Sequence, residues 1–398
     1  MKKGIIIAII VLVIGVIGYY AKMYYEQQRI KNAIIKVELI NPLEVNVFDE
    51  VSLNDLIVSI NGNLINNQKI KTEKLGVQEI TFYYINEENI KVPYTFSLNV
   101  VDKIPPIIWL NDTYQVDVGY QKDLSQAIMC GDNYDEHPKC FINGSYDTNK
   151  IGNYSLEYEA IDQSGNVTKK DFLLKVTKPN KKNTKTNTIP FRSLYNEYKK
   201  ENTQIGIDVS KWQGDIDYQK VKEAGVEFVF IKIGGQNGIK KEYYLDPKFE
   251  RNIKGFQEVG IPVGLYFYSY ADSVSEAQKE ALWVIEQIKD YKVSLPIAFD
   301  WENWGSFNQF QISFHTLTKM AEVFVKTLEK NGYQGMLYSS KNYLEKIWLK
   351  NDLPTWLAHY TNQTDYQGNY TCWQRTSSAK LSGITVNTVD VDICYQKR

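Results

Sequence analysis

The sequence has 398 residues, which predicts roughly two to four domains and enough chain for at least one large core. Lys and Arg total 46 against 47 Asp and Glu, so the formal net charge is -1 and a basic surface for nucleic acid is not expected. Only three histidines and four cysteines occur, widely scattered, which excludes multi-histidine zinc sites and paired-cysteine ribbons. Any catalysis is therefore expected to use carboxylates, with no metal or organic cofactor.

Residues 4–21 form an apolar segment without charged side chains, preceded by Lys2 and Lys3. An uncharged run of about this length is typical of a transmembrane helix, and the lysine pair favours a cytoplasmic N-terminus. We therefore expect residues 1–21 to be a cytoplasmic tip and signal anchor in the lipid bilayer. This predicts a single-pass protein of a bacterial cell membrane, with the bulk of the chain on the extracellular, cell-wall side. A cleaved signal peptide is the alternative.

Short alternating apolar runs, broken by Asn, Asp and Gly, predict an all-β region after the apolar segment. Residues 75–84 and 151–160 are similar and lie 76 positions apart, which is typical of two small β-sandwiches in series. We predict modules at 22–101 and 102–177. On the motifs at its start and near its end, the second resembles the Ig-like modules of bacterial surface proteins. Such modules usually act as spacers.

The four cysteines permit three disulfide pairings. Cys130 and Cys140 lie in the second module, whereas Cys372 and Cys394 lie near the C-terminus. Because export favours oxidation, we predict the two local pairs. Buried free thiols are the alternative.

Residues 178–203 contain few apolar side chains and are predicted to be a polar linker. From residue 204 to 398, apolar strands alternate with helices, a pattern that builds a parallel sheet or barrel. The predicted strands cover 205–209, 228–233, 262–268, 296–301, 336–339, 355–358, 372–374 and 389–393. Three closely spaced strands at the end predict an irregular β/α (TIM-like) barrel. The expected fold class is multidomain: an N-terminal transmembrane helix, two small all-β Ig-like sandwiches and this C-terminal barrel.

Acidic residues lie at the ends of the predicted barrel strands. Asp208 ends the first strand, Asp300 and Glu302 end the fourth, and Asp390 lies in the last. Residues two apart on an extended strand point to the same face, so Asp300 and Glu302 are expected to face one cavity. Hydrolysis of a glycosidic bond uses such a pair, in which one group donates a proton and the other stays ionised. On spacing alone, two solvated acids are the alternative.

Five motifs carry a family resemblance: residues 208–214, 300–302, 356–360, 373–374 and 389–392. In order and spacing, region 204–395 resembles the glycoside hydrolase family 25 lysozymes. The resemblance implies a β/α-barrel muramidase that cuts the β-1,4 bond between N-acetylmuramic acid and N-acetylglucosamine in peptidoglycan glycan strands. It also implies that Glu302 is the general acid and that Asp300 orients or stabilises the reacting sugar. Asp208 and Asp390 would complete the acidic ring.

Six further side chains are expected to bind substrate: Tyr266, Tyr268, Trp212, His359, Tyr360 and Trp373. Core packing is the alternative role for Tyr266, Tyr268, Trp212 and Trp373, and His359 is expected either to hydrogen-bond an acid of the ring or to be a satisfied core residue. Retaining, inverting and substrate-assisted routes all stay open at this point. The rival function is a non-catalytic cell-wall-binding or adhesin-like surface protein. No protein partner is indicated.

Overall fold

The computed structural model describes residues 2–179, 187–238, 240–302 and 312–395. The chain divides into two compact units, Met1–Lys103 and Ile104–Arg398. The second β-module therefore belongs to the same compact unit as the barrel. This differs from the expectation of two domains separated by a solvated linker.

The N-terminal helix α1, Lys2–Asn32, contains the apolar segment 4–21. Charged residues, among them Lys22, Glu26 and Arg29, follow within the same helix. In the part of the chain that the structure describes, no helix combines the length and the apolar character that crossing a membrane requires. The predicted transmembrane anchor is therefore wrong, and so is the predicted single-pass membrane location. The lipid bilayer as a partner has no support.

The first unit contains a small β-module after α1. Its elements are β1 Val37–Leu39, β2 Glu44–Asn46, β3 Val51–Ser52, α2 Leu53–Leu56, β4 Ile57–Ile60, β5 Gly62–Leu64, β6 Lys69–Ile70, β7 Gly76–Asn86 and β8 Lys91–Val101. A four-stranded sheet has the order β2-β8-β7-β5, in which β7 and β8 form a long antiparallel hairpin. Phe82 and Tyr84 of β7 alternate with exposed neighbours and pack inward, as expected for a sheet with one buried face.

The second module has a similar sheet. Its elements are β9 Ile107–Trp109, β10 Thr113–Asp117, α3 Leu124–Ala127, β11 Met129–Gly131, β12 Lys139–Asn143, β13 Gly152–Ile161 and β14 Val167–Thr177. The four-stranded sheet has the order β10-β14-β13-β12, and β9 pairs with β11 in a separate two-stranded sheet. Leu156, Tyr158, Phe172 and Leu174 form much of its core. The resemblance to Ig-like modules remains a prediction.

Both predicted disulfides are present, and the alternative of free thiols is wrong. Cys130 of β11 is bonded to Cys140 of β12 in the second module. Cys372 and Cys394 are bonded to each other near the C-terminus.

The described residues between 189 and 395 form a closed barrel with helices outside. The strands are β15 Ile189–Pro190, β16 Thr203–Val209, β17 Val229–Gln236, β18 Tyr243–Leu245, β19 Val263–Tyr268, β20 Ile297–Asp300, β21 Gly335–Ser340, β22 Thr355–Ala358, β23 Cys372–Lys380 and β24 Val389–Tyr395. The helices are α4 Phe191–Tyr198, a 3₁₀ turn Lys211–Gln213, α5 Tyr218–Glu223, α6 Phe249–Glu258, α7 Val274–Ile288, α8 Phe314–Lys330 and α9 Lys341–Lys346. The ring runs β16-β17-β19-β20-β21-β22-β23-β24, and β24 closes it by pairing antiparallel with both β23 and β16. The eight predicted strands are all present.

The predicted linker 178–203 is shorter than expected. Strand β15 and helix α4 lie within it, and β15 pairs with β23. Phe191 and Leu194 of α4 are buried in the core of the barrel, because the apolar side chains of this short helix lie on one face. Residues 189–198 therefore belong to the barrel. Residues 180–186 of the predicted linker lie outside the described residues.

The amino-terminal half of the barrel interior is filled with large apolar side chains. Phe228, Phe230, Met336 and Trp356 form a cluster there, and the rings of Phe230 and Trp356 stack with centroids 4.5 Å apart. Asp208 and Asp300 lie at the opposite, carboxyl end of the strands, which is where the sites of β/α barrels form.

Candidate active site

Five acidic or phenolic side chains lie at the end of the barrel where its parallel strands end. Asp208 is the penultimate residue of β16, and the strand register sets it opposite Asp390 of β24. Asp300 is the last residue of β20, and its neighbours in the register are Tyr268 of β19 and Tyr338 of β21. Because the strands form a closed ring, residues that are distant in the sequence come to one end of it.

A cavity of about 480 Å³ opens at this end of the barrel. Glu302, two residues beyond β20, lines the cavity and is exposed, whereas Asp300 is only 2% exposed. Tyr338, His359 and Tyr360 line the same cavity. Its volume lies within the range of pockets that bind small organic ligands.

Asp300 and Glu302 interact directly. Burial raises the pKa of Asp300 well above its usual range, and the charge of Glu302 and a hydrogen bond with it raise that pKa further. The Lys232 ammonium group acts in the opposite direction and lowers the pKa of Asp300. Its Nζ lies 4.5 Å from the ring centroid of Tyr268. A buried carboxyl beside a second carboxyl retains a proton near neutral pH, so the pair is arranged to carry one proton.

A second acidic group consists of Asp208, Asp390 and Asp392. Burial raises the pKa of Asp208, and the charges of Asp390 and Asp392 add to the increase. Burial raises the pKa of Asp390 to about 6; a hydrogen bond with Asp208 opposes the rise, and the charge of Glu302 adds to it. Asp392 lies fully buried and accepts a hydrogen bond of 2.9 Å from the indole N–H of Trp356. The charge of Glu302 acts on Asp390, so the two acidic groups interact electrostatically.

Gln374 of β23, which belongs to the motif 373–374 but had no predicted role, connects the acids to the aromatic side chains. Its Nε2 donates a hydrogen bond of 2.7 Å to Asp208. Its Oε1 accepts hydrogen bonds from the hydroxyls of Tyr338 at 2.8 Å and Tyr360 at 3.0 Å. Gln374 lies two residues after Cys372, which packs inside the barrel. The two-residue period of a strand is the signal that could have identified it.

The barrel sequence has a family match that agrees with this arrangement. Residues 207–384 match the family described as glycosyl hydrolases family 25. We call residues 207–384 the family 25 domain, because they are the part of the chain that resembles this family. The match agrees with the predicted enzyme class, a glycosidase. The matched range includes Asp208, Asp300 and Glu302, and Asp390 follows shortly after its end.

Curated relatives and solved structures are similar over the same half of the chain. Uncharacterized protein YegX of Escherichia coli strain K12 is 30% identical over 187 residues, which are 45% of this chain and 65% of YegX. The autolytic lysozyme of Clostridium acetobutylicum is 28% identical, over 47% of this chain and 54% of that protein. The chain thus spans less than two thirds of either relative. The structure of a family 25 glycosyl hydrolase from Bacillus anthracis is 22% identical, covers 50% of this chain and 92% of its own, and has a TM-score of 0.43.

Three of the predicted substrate-binding aromatics, Tyr266, Tyr268 and Tyr360, interact electrostatically with the acids of the family 25 domain. Tyr266 and Tyr268 alternate along β19 and are partly buried. Burial raises the pKa of both phenols, and the charge of Asp300 contributes in each case. Trp212, in the turn that follows β16, is 65% exposed, and Tyr360 is 57% exposed. These side chains therefore remain predicted sugar-binding groups.

Two other predicted groove residues have different surroundings. Trp373 is 3% exposed in the core, and its indole N–H donates to the carbonyl oxygen of His359 at 2.7 Å. The structure therefore gives Trp373 a packing position and not the predicted place in the groove wall, because its side chain alternates outward from the ring toward the helices. The Nδ1 of His359 lies 3.0 Å from the hydroxyl of Thr364 and 3.8 Å from Asp365. Those contacts do not include an acid of the ring, although His359 does line the cavity.

The polar side chains described above at the carboxyl end of the barrel are mainly carboxylates and phenols, with one amide. Within the described residues of the family 25 domain, no three carboxylate, imidazole or thiol ligand atoms lie close enough together to hold a metal ion. The expectation that no cofactor is needed stays a prediction.

Proposed function

We propose that this protein is a peptidoglycan hydrolase that cleaves the β-1,4 bond between N-acetylmuramic acid and N-acetylglucosamine. The observation that carries the proposal is the hydrogen-bonded pair of Asp300, buried, and Glu302, open to the cavity. A glycosidase needs one carboxyl that keeps a proton and a second negative charge beside the reacting sugar. The family 25 match and the similarity to an autolytic lysozyme support peptidoglycan as the substrate.

The proposed acid step uses the proton of this pair. Glu302 faces the cavity and donates the proton to the departing glycosidic oxygen, which leaves both carboxyls ionised. The bond between that oxygen and the anomeric carbon breaks, and positive charge develops on the sugar ring. Asp300, which is left ionised two residues before the donor Glu302, stabilises that charge. Fixed negative charge in a site with little water is an effective source of such stabilisation.

Asp208 and Asp390 interact with each other, and Asp390, with a pKa of about 6, carries further negative charge at neutral pH. Gln374 fixes Asp208 through its 2.7 Å hydrogen bond, and the hydroxyls of Tyr338 and Tyr360 hold the Gln374 amide. An oriented amide keeps the carboxylate in one position without neutralising it. We assign these two acids the role of stabilising the oxocarbenium-like transition state.

Three routes follow the acid step: attack by a carboxylate, attack by water, or attack by the 2-acetamido group of the substrate. The carboxyls of Asp300 and Glu302 are hydrogen-bonded, so their separation does not choose between a carboxylate and a water molecule as the nucleophile. We favour the substrate-assisted route because Asp300 is held beside Glu302 and can orient an acetamido group. This route predicts retention of the anomeric configuration, and NMR showing inverted anomers in the earliest products would exclude it.

The decisive experiment compares wall digestion by the wild-type chain and the Glu302→Gln variant. Released fragments are reduced with borohydride and identified by mass. We expect N-acetylmuramic acid at the reducing ends from the wild type and at least about a hundredfold less release from the variant, the usual size of a general-acid effect. Glu286→Gln, at an exposed position on α7, is the matched control and should keep wild-type activity. Equal release by the wild type and Glu302→Gln would refute the proposal, as would a wild type that binds walls without releasing fragments.

A further inference from the structure

Trp109 lies outside the family 25 domain, in strand β9 of the second β-module, yet it lines the active-site cavity. It shares that lining with Glu302, Tyr338, His359 and Tyr360 of the barrel. We infer that Trp109 is a sugar-binding wall of the glycan groove, so that the module contributes to substrate binding. This role rests on the proposed function, because the ligand we assign to the wall is the glycan strand.

The position of the Trp109 ring is fixed by its neighbours. Strand β9 pairs antiparallel with β11, and Met129 is opposite Trp109 in that register. The Trp109 ring lies edge to face with that of Tyr343, with centroids 5.1 Å apart. Nζ of Lys346 lies 5.3 Å from the Trp109 ring centroid. Tyr343 and Lys346 both belong to α9, so this barrel helix holds the tryptophan in a defined orientation.

Hydrogen bonds also connect the second β-module with the barrel. The first residues of α8 need partners for their backbone N–H groups, because no intrahelical carbonyl precedes them. The N–H groups of Phe314 and His315 donate to the carbonyls of Asp132 at 2.8 Å and Asn133 at 3.2 Å. The hydroxyl of Thr316 donates to Glu136 at 3.2 Å. A loop of the second β-module thus supplies acceptors for the first N–H groups of α8. These bonds hold the module and the barrel in one arrangement.

A tryptophan in this place suits a polysaccharide. A large flat ring can pack against the C–H face of a pyranose while the sugar hydroxyls stay in water. A glycan strand continues past the bond that is cleaved, and it needs binding surface beyond the two sugars at that bond. We therefore infer that Trp109 binds a sugar farther along the glycan strand than the two at the cleaved bond. The inferred substrates are glycans longer than a disaccharide.

The test uses full-length chains with soluble oligomers of alternating N-acetylglucosamine and N-acetylmuramic acid, six to eight sugars long. We expect Trp109→Ala to raise KM roughly tenfold or more with kcat within about twofold, the effect of losing one stacked ring. Trp109→Phe keeps a flat ring and should bring KM back to within about threefold of wild type. Val116→Ala removes buried methyl groups from β10, which belongs to the other sheet of the same module, so it should lower the melting temperature while KM stays unchanged. An unchanged KM for Trp109→Ala, or an equal rise for Val116→Ala, would overturn the inference.

A binding measurement separates this inference from the proposed function. Calorimetry with the same oligomers compares Glu302→Gln with the double variant Glu302→Gln, Trp109→Ala. We expect roughly tenfold weaker binding by the double variant, whether or not the wild type hydrolyses the oligomers. Equal affinities would reject the Trp109 wall and leave the hydrolase proposal intact. Absence of hydrolysis by the wild type would reject the hydrolase proposal alone.

Discussion

The two β-modules share one sheet design but belong to different compact units of the chain. Their sheets have equivalent orders, β2-β8-β7-β5 and β10-β14-β13-β12, and the first strand of each is parallel to the hairpin strand beside it. Strands β7 and β13 begin at Gly76 and Gly152, and the hairpin register pairs these with Val100 and Val176. The 76-residue repeat of the sequence is thus a repeat of the sheet itself.

The modules differ outside the repeated hairpin. Trp109 has no aromatic counterpart in β1, the strand that precedes β2 as β9 precedes β10 and that reads Val37, Glu38, Leu39. All four cysteines lie beyond the first module. The loop that caps α8 also lies outside the hairpin, between β11 and β12. The comparison teaches that the repeated hairpin gives stability, whereas the short strands and loops around it decide what a module does.

The largest expected effect is on the stability of each module, when one buried phenylalanine at equivalent positions is replaced by alanine. Phe96 and Phe172 occupy equivalent buried positions of β8 and β14. Phe96→Ala and Phe172→Ala should each lower the free energy of unfolding of their own module by about 3 to 5 kcal/mol, because each leaves a cavity. Urea denaturation followed by fluorescence measures both losses. Only Phe172→Ala should also reduce hydrolysis of long glycans, and an equal reduction by both variants would contradict a special role of the second module.

One carboxyl from each unit shows pKa changes in opposite directions. In the first, the hydrogen bonds from Ser52 lower the pKa of Asp55, so its contribution to stability is present above the unfolded pKa and is lost as pH falls. In the second, burial raises the pKa of Glu280 on α7 to about 8. Its carboxyl also interacts with the hydroxyl of Ser269, at 2.6 Å. The contribution of Glu280 to the free energy of unfolding is present at low pH. It is lost as pH rises from about 4.5, the ordinary pKa of a glutamate, to about 8, its pKa in the folded chain.

Glu280→Gln isolates that pH dependence. Between pH 5 and pH 8.5 the wild-type second unit should lose up to about 4 kcal/mol of unfolding free energy from this group. The variant, which cannot ionise but can still hydrogen-bond Ser269, should lose much less over the same interval. Urea titrations at the two pH values measure the difference, with Glu286→Gln as the control. A loss of the same size in Glu280→Gln would show that other acids determine the slope.

The disulfide of the second module has a smaller expected effect. Cys130 and Cys140 are 10 residues apart, so their bond restricts a short loop of the unfolded chain. The double variant Cys130→Ala, Cys140→Ala should destabilise the second module by about 2 to 3 kcal/mol. The unfolding transition of the first unit should stay unchanged, and calorimetry can follow both transitions. A shift of both would show that the modules unfold together.

The smallest effect is expected on the exposed face of the second hairpin. Lys169 lies 3.1 Å from Glu157 and 2.9 Å from Glu159, and Pro93 is its counterpart in the first module. Exposed ion pairs contribute little to stability because water and salt screen them. Lys169→Ala should therefore leave the melting temperature within the error of calorimetry. A clear decrease would show that this charged face supports the sheet.

Local patterns were sufficient to predict the strands of the barrel and the repeated hairpins. Alternation of apolar residues, turn residues and the placement of acids at strand ends are all readable along the chain. The same reasoning failed for residues 4–21, where an apolar run predicted a membrane span. It also assigned residues 189–198 to a linker, although Phe191 and Leu194 pack into the barrel core.

The sequence by itself determined the eight barrel strands, the positions of Asp208, Asp300 and Glu302 at their ends, and the two local cysteine pairs. Tertiary structure alone decided that Gln374 holds Asp208 and that Trp109 reaches the cavity. The physical reason is that hydrophobic periodicity and strand pleating act over a few neighbouring residues. Contacts such as Trp109 with Tyr343 join chain segments more than 200 residues apart, and only the closure of the barrel and the packing of the module against it bring them together.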